Sequence, residues 1–203
     1  MANLFPMFLK LENRNCLVVG AGKVAEPKLA SLLASGASVR VVAPIATDLV
    51  AECARTGQIA WDVRECVPSD LDGIFLVVAA TNSLESNDLV FREAQIRQTL
   101  CNVVDDPARC DFFYPAVVRR GQLQIAISTA GLSPALAQRL RRDLEVQYGP
   151  HYAEWLEELG EYRRQLFATN IAPQERVRRL HLAASRDAFT QRFNSSAPIE
   201  ATR

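Results

Sequence analysis

Two glycines separated by one residue follow a short apolar run, and this pairing is typical of a turn that holds a phosphate group. The run Cys16–Val19 stops at Gly20, and the segment from Gly20 to Ala25 fits the pattern G-x-G-x-x-[G/A]. Such glycines let the backbone turn tightly between a strand and a helix. They also let a pyrophosphate approach the free N–H groups at the start of the helix. The pattern predicts a dinucleotide site. The alternative is a tight turn that binds nothing, which we consider the weaker explanation of the motif in this context.

The second strand ends without the residue that usually distinguishes the two nicotinamide dinucleotides. About twenty residues after such a glycine turn, an acid normally contacts the adenosine ribose. Here Pro44 and Ile45 occupy that place, the nearest carboxylate is Asp48, and Arg40 lies inside the strand. These residues alone therefore leave the choice between NAD and NADP open.

Two adjacent carboxylates follow a later apolar run. The predicted buried strand at 100–104 contains Asn102, and Asp105 and Asp106 come directly after it. Ligands of open parallel sheets bind at the carboxyl ends of the strands, so we expect Asp105 to face a cleft. Repulsion between the neighbouring charges would suit one of them for accepting a proton as a general base. The alternative is that both carboxylates only belong to a turn, and the spacing does not decide between these two interpretations.

Apolar runs alternate with helical patterns over the first hundred residues. The predicted strands lie at 16–19, 38–42, 59–63, 73–80 and 100–104. Helical patterns separate them at 24–34, from Thr47 to near Gly57, and at 83–98. This alternation predicts βαβ units and therefore an α/β fold with a Rossmann-like, doubly wound parallel sheet.

The pattern changes after residue 112. The segment "FFYPAVVRRGQLQIAIS" contains two β runs joined at Arg120-Gly121, a gap too short for a helix, so we predict a hairpin. Ser133 is suited to cap a helix with Pro134 as its first residue. Further helical patterns follow, and we expect a disordered tail at 194–203. The predicted organisation is a dinucleotide-binding domain at 1–112, a hairpin-and-helix region at 113–149 and a small helical domain at 150–203.

The composition excludes several classes of protein. The 203 residues contain 23 Lys and Arg against 23 Asp and Glu, whereas nucleic-acid binders and anionic-membrane binders are usually basic. No apolar run is long enough to span a membrane, and the first residues do not resemble a signal peptide. The five cysteines show no CxxC pair, which is typical of reduced, mostly buried thiols. We therefore expect a cytoplasmic protein with no nucleic-acid or membrane partner.

Taken in order, the motifs resemble one family. The segments "LVVGAGKVAEPK", "VVAP", "VVAATN", "CNVVDDP", "FYPAVVRRG" and "SPALAQRLR" together are similar to the siroheme synthase family of precorrin-2 dehydrogenases, which often also act as sirohydrochlorin ferrochelatases. The similarity extends from about residue 5 to residue 148. Pro27 departs from the family, in which an arginine commonly precedes the lysine that matches Lys28.

The resemblance implies an activity and a set of site residues. It implies NAD-dependent oxidation of precorrin-2 to sirohydrochlorin, with Asp105 as the general base and Fe²⁺ as a substrate of any chelatase step. The four pyrrole nitrogens bind that metal, so no metal site formed by protein side chains is expected. A homodimer is also implied, with residues 113–149 as the dimerisation and tetrapyrrole-binding region. The expected cofactor residues are Gly20, Gly22, Lys23, Val24, Pro44, Ile45 and Thr81, and the expected substrate residues are Asn102, Phe112, Pro115 and either or both of Ser128 and Thr129.

Two other functions remain compatible with these motifs. One is a regulator that responds to NAD(H) through a change of partner or oligomer and has no turnover. The other is a tetrapyrrole-binding carrier or chelatase without dehydrogenase activity. Oxidation of precorrin-2 under anaerobic conditions would distinguish the three.

Overall fold

The computed structural model describes residues 4–194. Its strands are β1 (Asn15–Ala21), β2 (Ser38–Ala46), β3 (Ala60–Asp62), β4 (Leu76–Ala79), β5 (Leu100–Val103), β6 (Ala116–Arg120) and β7 (Leu123–Ile127). Its α-helices are α1 (Ala25–Ala34), α2 (Asp48–Arg55), α3 (Leu84–Arg97), α4 (Pro134–Gln147), α5 (His151–Ala168), α6 (Pro173–Ala183) and α7 (Arg186–Asn194). Short 3-10 turns occur at Pro68–Leu71 and Pro107–Arg109.

The first five strands form one parallel sheet in the order β3-β2-β1-β4-β5. The register places Val18 of β1 beside Val41 of β2 on one side and Val78 of β4 on the other. The sequence prediction of a Rossmann-like parallel sheet is confirmed. Because all five strands run the same way, their carboxyl ends meet at one edge of the sheet, where ligands of such folds bind.

Alternate residues of each strand enter cores on opposite faces of this sheet. Val18 and Val78 belong to a core that also contains Leu29 of α1 and Val50 of α2. Their neighbours in the strands enter a second core, which contains Val90 of α3. Both faces are therefore covered by helices, which explains why the strands appear in the sequence as continuous apolar runs.

The second strand and the helix after it differ in detail from the sequence prediction. β2 continues to Ala46 rather than ending at residue 42, because Ala46 pairs with Ala21 and the N–H of Thr47 donates to the Ala21 carbonyl at 3.0 Å. Thr47 does precede α2, but its side chain forms no cap, and its buried Oγ1 has no hydrogen-bond partner within residues 4–194. Backbone pairing, not the capping residue, therefore determines where this helix begins.

The chain divides into two compact units after Tyr114. The second unit contains the hairpin β6–β7 and the helices α4 to α7, and both α4 and α5 pack against the hairpin. The predicted hairpin, with its turn at Gly121, and the predicted Ser133 cap are both present, since the Ser133 hydroxyl accepts from the N–H of Leu136. The predicted division of this part into residues 113–149 and 150–203 stays a prediction.

The predicted disordered tail lies almost entirely outside the described residues. Only Asn194 falls within them, and it ends α7 rather than beginning a tail. Among the described residues, no helix combines the length and the apolar character that crossing a membrane requires.

Candidate dinucleotide and acid–base site

The glycine turn connects β1 to α1, and its two glycines have different physical roles. Gly20 has φ +97°, and a Cβ there would lie 2.4 Å from the carbonyl oxygen of Ala80. Gly20 is therefore required by the fold itself. A Cβ at Gly22 would meet no atom within 4 Å, so the protein leaves the space beside Gly22 open. That open space lies at the start of α1, where free N–H groups favour an anion.

A cleft of about 470 Å³ lies over this turn at the carboxyl edge of the sheet. The structure brings all seven predicted cofactor residues together in its lining: Gly20, Gly22, Lys23, Val24, Pro44, Ile45 and Thr81. They come from the ends of β1, β2 and β4. Separate parts of the sequence thus meet in one site of a size that suits part of a dinucleotide.

The segment directly after β4 forms one wall of the cleft, and a network of hydrogen bonds fixes it. The Thr81 hydroxyl donates to Asn87 Oδ1 at 2.8 Å, and Asn87 Nδ2 donates back to the Thr81 carbonyl at 3.2 Å. The Ser83 hydroxyl caps α3 by accepting from the N–H of Ser86. Asn87 is buried, so this turn is rigid, and Thr81 supports the cleft chiefly through its fixed backbone.

Glu65 also lines the cleft, and the sequence analysis did not identify it. It belongs to the loop after β3, next to the end of β2 at Pro44 and Ile45. The other lining residues not identified beforehand include Asn82, Ser83 and Ser86. The only feature of the sequence that could have identified them is their position after predicted strands, because the carboxyl ends of parallel strands meet at one edge of the sheet.

Asp105 lies just beyond β5 with its side chain exposed. Its φ is +63°, a left-handed conformation that Asp and Asn adopt more readily than other non-glycine residues. Within residues 4–194 its carboxylate has no hydrogen bond and no salt bridge. The Lys28 ammonium of α1 is close enough to interact with it electrostatically. The carboxylate is thus held at a strained turn and remains available to accept a proton.

Asp106 differs sharply from its neighbour, although the two are adjacent in sequence. Asp106 Oδ2 forms a salt bridge with Arg109 Nε at 3.2 Å, and Arg109 also pairs with Asp88. The charge of Asp106 is therefore compensated by an arginine. The arginine reduces the repulsion by which Asp106 was expected to act on Asp105. The choice of Asp105 as the general base stays a prediction.

Lys28 connects Asp105 to an aromatic pair. Its ammonium lies 3.9 Å from the centroid of the Tyr114 ring, and the Tyr114 ring packs against Phe112 with centroids 5.7 Å apart. Burial lowers the pKa of Lys28 below its usual value, and the nearby Asp105 carboxylate opposes that effect. The Tyr114 hydroxyl is buried and has no hydrogen-bond partner in the described part of the chain, and burial raises its pKa. Phe112, a predicted substrate residue, is half-buried and packs against the core beside this group.

Asn102 lies inside β5 and is only 6% exposed. Its Nδ2 donates to the carbonyl of Phe112 at 2.8 Å and to Cys110 Sγ at 3.3 Å. The Cys110 thiol in turn donates to the carbonyls of Val103 and Asp106, and burial raises its pKa. Asn102 therefore ties the Asp105 loop to the sheet, and this geometry favours a positioning role over the predicted substrate contact.

The remaining predicted substrate residues, Pro115, Ser128 and Thr129, belong to the second unit. Ser128 is exposed, and its Oγ accepts from the N–H of Ala130 at 3.1 Å. Thr129 is partly buried, and its Oγ1 accepts from the N–H of Ser133 at the start of α4. Pro115 is exposed at the first position of the unit. Both hydroxyls thus stabilise the turn before α4, and Ser128 is the more accessible of the two.

The described residues contain no group of three or more His, Cys, Asp or Glu side chains arranged to hold a metal ion. All five cysteines are unpaired thiols.

Comparison with known sequences relates both units to characterised families. Residues 7–116 match the family model described as "Putative NAD(P)-binding", and residues 120–147 match "Sirohaem biosynthesis protein central". A siroheme synthase from Photobacterium profundum is 40% identical over 164 residues, covering 81% of this chain and 35% of the relative. Siroheme synthase 1 from Yersinia enterocolitica is 39% identical over 190 residues, covering 94% and 39%. The chain thus spans little more than a third of these relatives.

A solved structure matches over a much larger share of its length. The chain described as "SirC, precorrin-2 dehydrogenase" superposes with a TM-score of 0.78 at 28% identity, covering 95% of this chain and 100% of that one. The resemblance to siroheme synthases indicated by the motifs is confirmed. The NAD(P)-binding model matches more than half of the 203 residues, and the chain therefore belongs to the NAD(P)-binding family that this model describes.

Proposed function

We propose that this protein is a dehydrogenase that oxidises precorrin-2 to sirohydrochlorin with NAD as the acceptor. The observation that carries the proposal is the exposed, unpaired Asp105 at the same sheet edge as the glycine-turn cleft. A hydride acceptor and a proton acceptor are what this oxidation requires. The match to a structure described as a precorrin-2 dehydrogenase gives independent support.

The residues of the cleft fit a nicotinamide dinucleotide. The open space beside Gly22 would admit the pyrophosphate, and Lys23 supplies a positive charge at the same turn. When bound, the nicotinamide ring supplies the site that accepts a hydride. The protein would hold the cofactor through the N–H groups at the start of α1 and exclude water with Val24 and Ile45. The cofactor family is NAD(P), and NAD is the proposed member.

Asp105 would remove the proton that leaves the substrate as the hydride departs. Lys28 would stabilise the ionised carboxylate electrostatically, and Asn102 would hold the loop in place through the Phe112 carbonyl. The substrate carries several carboxylates, and the turn containing Ser128 and Thr129 lies beside the N-terminus of α4, where the helix dipole favours negative charge. We assign the tetrapyrrole contact to Ser128 ahead of Thr129 because Ser128 is the more exposed.

The proposal is tested with an anaerobic assay of precorrin-2 and NAD, followed by the absorption spectrum of sirohydrochlorin. We expect turnover by the wild-type chain and a loss of about 100- to 10,000-fold in Asp105→Asn, the usual cost of losing a general base. Asn is chosen because it tolerates the positive φ of this position.

The matched control is Asp106→Asn. That carboxylate is paired with Arg109, so we expect a milder defect. NADH binding should be unchanged in both variants, because neither residue lines the cleft. Wild-type turnover by Asp105→Asn would show that another group takes the proton.

The same assay addresses a chelatase step and the two competing functions. Insertion of Fe²⁺ releases pyrrole protons, and Asp105 is the carboxylate we propose to receive them. The Asp105→Asn variant should therefore also form siroheme more slowly from sirohydrochlorin and Fe²⁺. A regulator would bind NADH and change its assembly without turnover. A carrier or chelatase would bind sirohydrochlorin but leave precorrin-2 unoxidised.

A further inference from the structure

The glycine-turn cleft lacks the carboxylate that usually contacts the adenosine ribose at the end of β2. Pro44 and Ile45 line the cleft at that place, and Asp48, the next carboxylate along the chain, is not part of the lining. Glu65 is the one carboxylate among the described residues that line the cleft, and Lys23 is the one cation. A carboxylate is therefore present at this site, but it belongs to the loop after β3 rather than to the end of β2.

The position of β3 beside β2 explains why the loop that carries Glu65 and the end of β2 line the same cleft. β3 is the parallel neighbour of β2 at the edge of the sheet, and Asp62 pairs with Val42. Glu65 and Ile45 each follow a member of that pair by three residues, and both line the cleft. In a fold of this type the adenosine half of the dinucleotide extends from the glycine turn over the end of β2, and β3 lies farther in that direction.

A buried network fixes the segment that carries Glu65. Asp70 is only 3% exposed, and its carboxylate accepts from Arg64 Nη1 at 2.8 Å and Nη2 at 2.7 Å and from the N–H of Val67 at 2.8 Å. The carbonyl of Glu65 accepts from Arg64 Nη1 at 3.0 Å. Arg64 before Glu65 and Val67 after it therefore both bind the buried Asp70 carboxylate. The carboxylate of Glu65 itself has no hydrogen bond or salt bridge within residues 4–194.

In the same network, Arg40 and Arg64 are paired with aspartates, so these two arginines are not available to bind a 2′-phosphate. Arg40 donates to the Asp70 carboxylate at 3.1 Å, to the Asp70 carbonyl at 2.6 Å and to Asp62 at 3.2 Å. Arg64 contacts both of the same aspartates. NADP-binding sites use an arginine at this place. Here both guanidinium groups are already paired with aspartates and neither lines the cleft, whereas Glu65 does.

We propose that Glu65 binds the adenosine ribose hydroxyls and selects NAD over NADP, an inference that rests on the proposed binding of a nicotinamide dinucleotide in this cleft. A ribose 2′-hydroxyl donates to the carboxylate in a charge-assisted hydrogen bond. A 2′-phosphate cannot donate in this way and is repelled by the like charge. Asp70 acts as the positioning residue, because it fixes the loop without lining the cleft.

The test is a fluorescence titration of the full chain with NADH and with NADPH. We expect the wild type to bind NADH more tightly. Glu65→Gln should weaken NADH binding by about 10- to 100-fold, which corresponds to one hydrogen bond to a charged group. It should weaken NADPH binding little, so that the preference largely disappears. Glu65→Lys should reverse the preference, because it places a cation near the 2′-phosphate.

The control variant is Asp48→Asn, which removes the nearest carboxylate in sequence from a position outside the cleft and should change neither affinity. Thermal unfolding checks that each variant is folded, and we expect no change because Glu65 is exposed. If the wild type prefers NADPH, or if folded Glu65→Gln keeps the wild-type preference for NADH, Glu65 is not the selecting residue. If the wild type binds neither nucleotide, the proposed cofactor fails as well, which is a separate outcome.

Discussion

At the scale of single residues, similar side chains have different roles because of what surrounds them. Asp105 and Asp106 are adjacent, yet one carboxylate is unpaired and the other is bound to Arg109. Gly20 and Gly22 belong to one motif, yet only Gly20 is enclosed by protein backbone, at the residues that directly follow β4. In each pair, we propose a functional role for the member that remains accessible: the Asp105 carboxylate as proton acceptor and the space beside Gly22 as the anion-binding position.

The two glycines should consequently respond differently to substitution. Gly20→Ala places a Cβ against the Ala80 carbonyl at positive φ, and we expect it to lower the free energy of unfolding by roughly 2 kcal/mol or more. Gly22→Asp meets no protein atom, so stability should change by about 0.5 kcal/mol or less. Its side chain and charge occupy the proposed pyrophosphate space, however, so NADH binding should be strongly weakened. Urea unfolding and NADH titration measure the two effects, and unchanged NADH affinity in folded Gly22→Asp would argue against this site.

At the scale of elements, the loop between β3 and β4 is organised by one buried carboxylate. Asp70 connects Arg40 of β2 with Arg64 and Val67 of the loop, so β2 and the cleft wall are held by the same carboxylate. Hydrogen bonds from Arg64 lower the pKa of Asp70 to about 2. A carboxyl group in an unfolded chain has a pKa near 3.9, so the ionised form stabilises the folded state.

This difference predicts a specific loss of stability in acid. The contribution is fully present above about pH 5, amounts to roughly 2.5 kcal/mol there, and is lost as the pH falls from there through about 2. About half should be lost at pH 3. We expect Asp70→Asn to be less stable than the wild type at pH 7 and to lose about 1 kcal/mol less between pH 5 and pH 3 in urea unfolding. The control is Asp72→Asn, because Asp72 pairs with Arg97 at the surface and is 65% exposed. An Asp70→Asn protein with the wild-type pH dependence would contradict the assignment.

At the scale of the whole molecule, the two units differ in how much apolar surface they bury. Both buried cores belong to the first unit. Among residues 115–194, the buried apolar side chains are Val118, Ala137 and Leu166. Large apolar side chains such as Val146 and Leu132 are 87% and 70% exposed. A two-stranded hairpin with helices but so small a core is marginal in water, which favours a partner surface.

We therefore predict that the chain forms a homodimer through its second unit. Sedimentation velocity at micromolar concentration should give twice the 22.5 kDa mass of one chain. A chain shortened to residues 1–114 retains both cores and the glycine turn, so it should sediment as a monomer and still bind NADH. A monomeric full chain at this concentration would exclude the homodimer.

The sequence by itself determined the features that depend on neighbouring residues. Local backbone preferences are visible in the apolar runs, the glycine pair and the Ser133-Pro134 start of α4. The parallel sheet, the tight glycine turn and the helix after the hairpin could therefore be predicted. The grouping of the cofactor residues was also predictable, because the carboxyl ends of parallel strands must meet at one edge.

Tertiary structure alone decided which charged and polar side chains are paired with other side chains or with the backbone. Glu65 enters the cleft because β3 pairs beside β2, and no spacing in the sequence relates it to Gly20. Arg40 and Arg64 both pair with Asp70, and Asp106 pairs with Arg109. The Asn102 amide donates to the Phe112 carbonyl. A side chain's availability depends on partners brought together by folding from distant positions, and this is why the chemistry of the site required the structure.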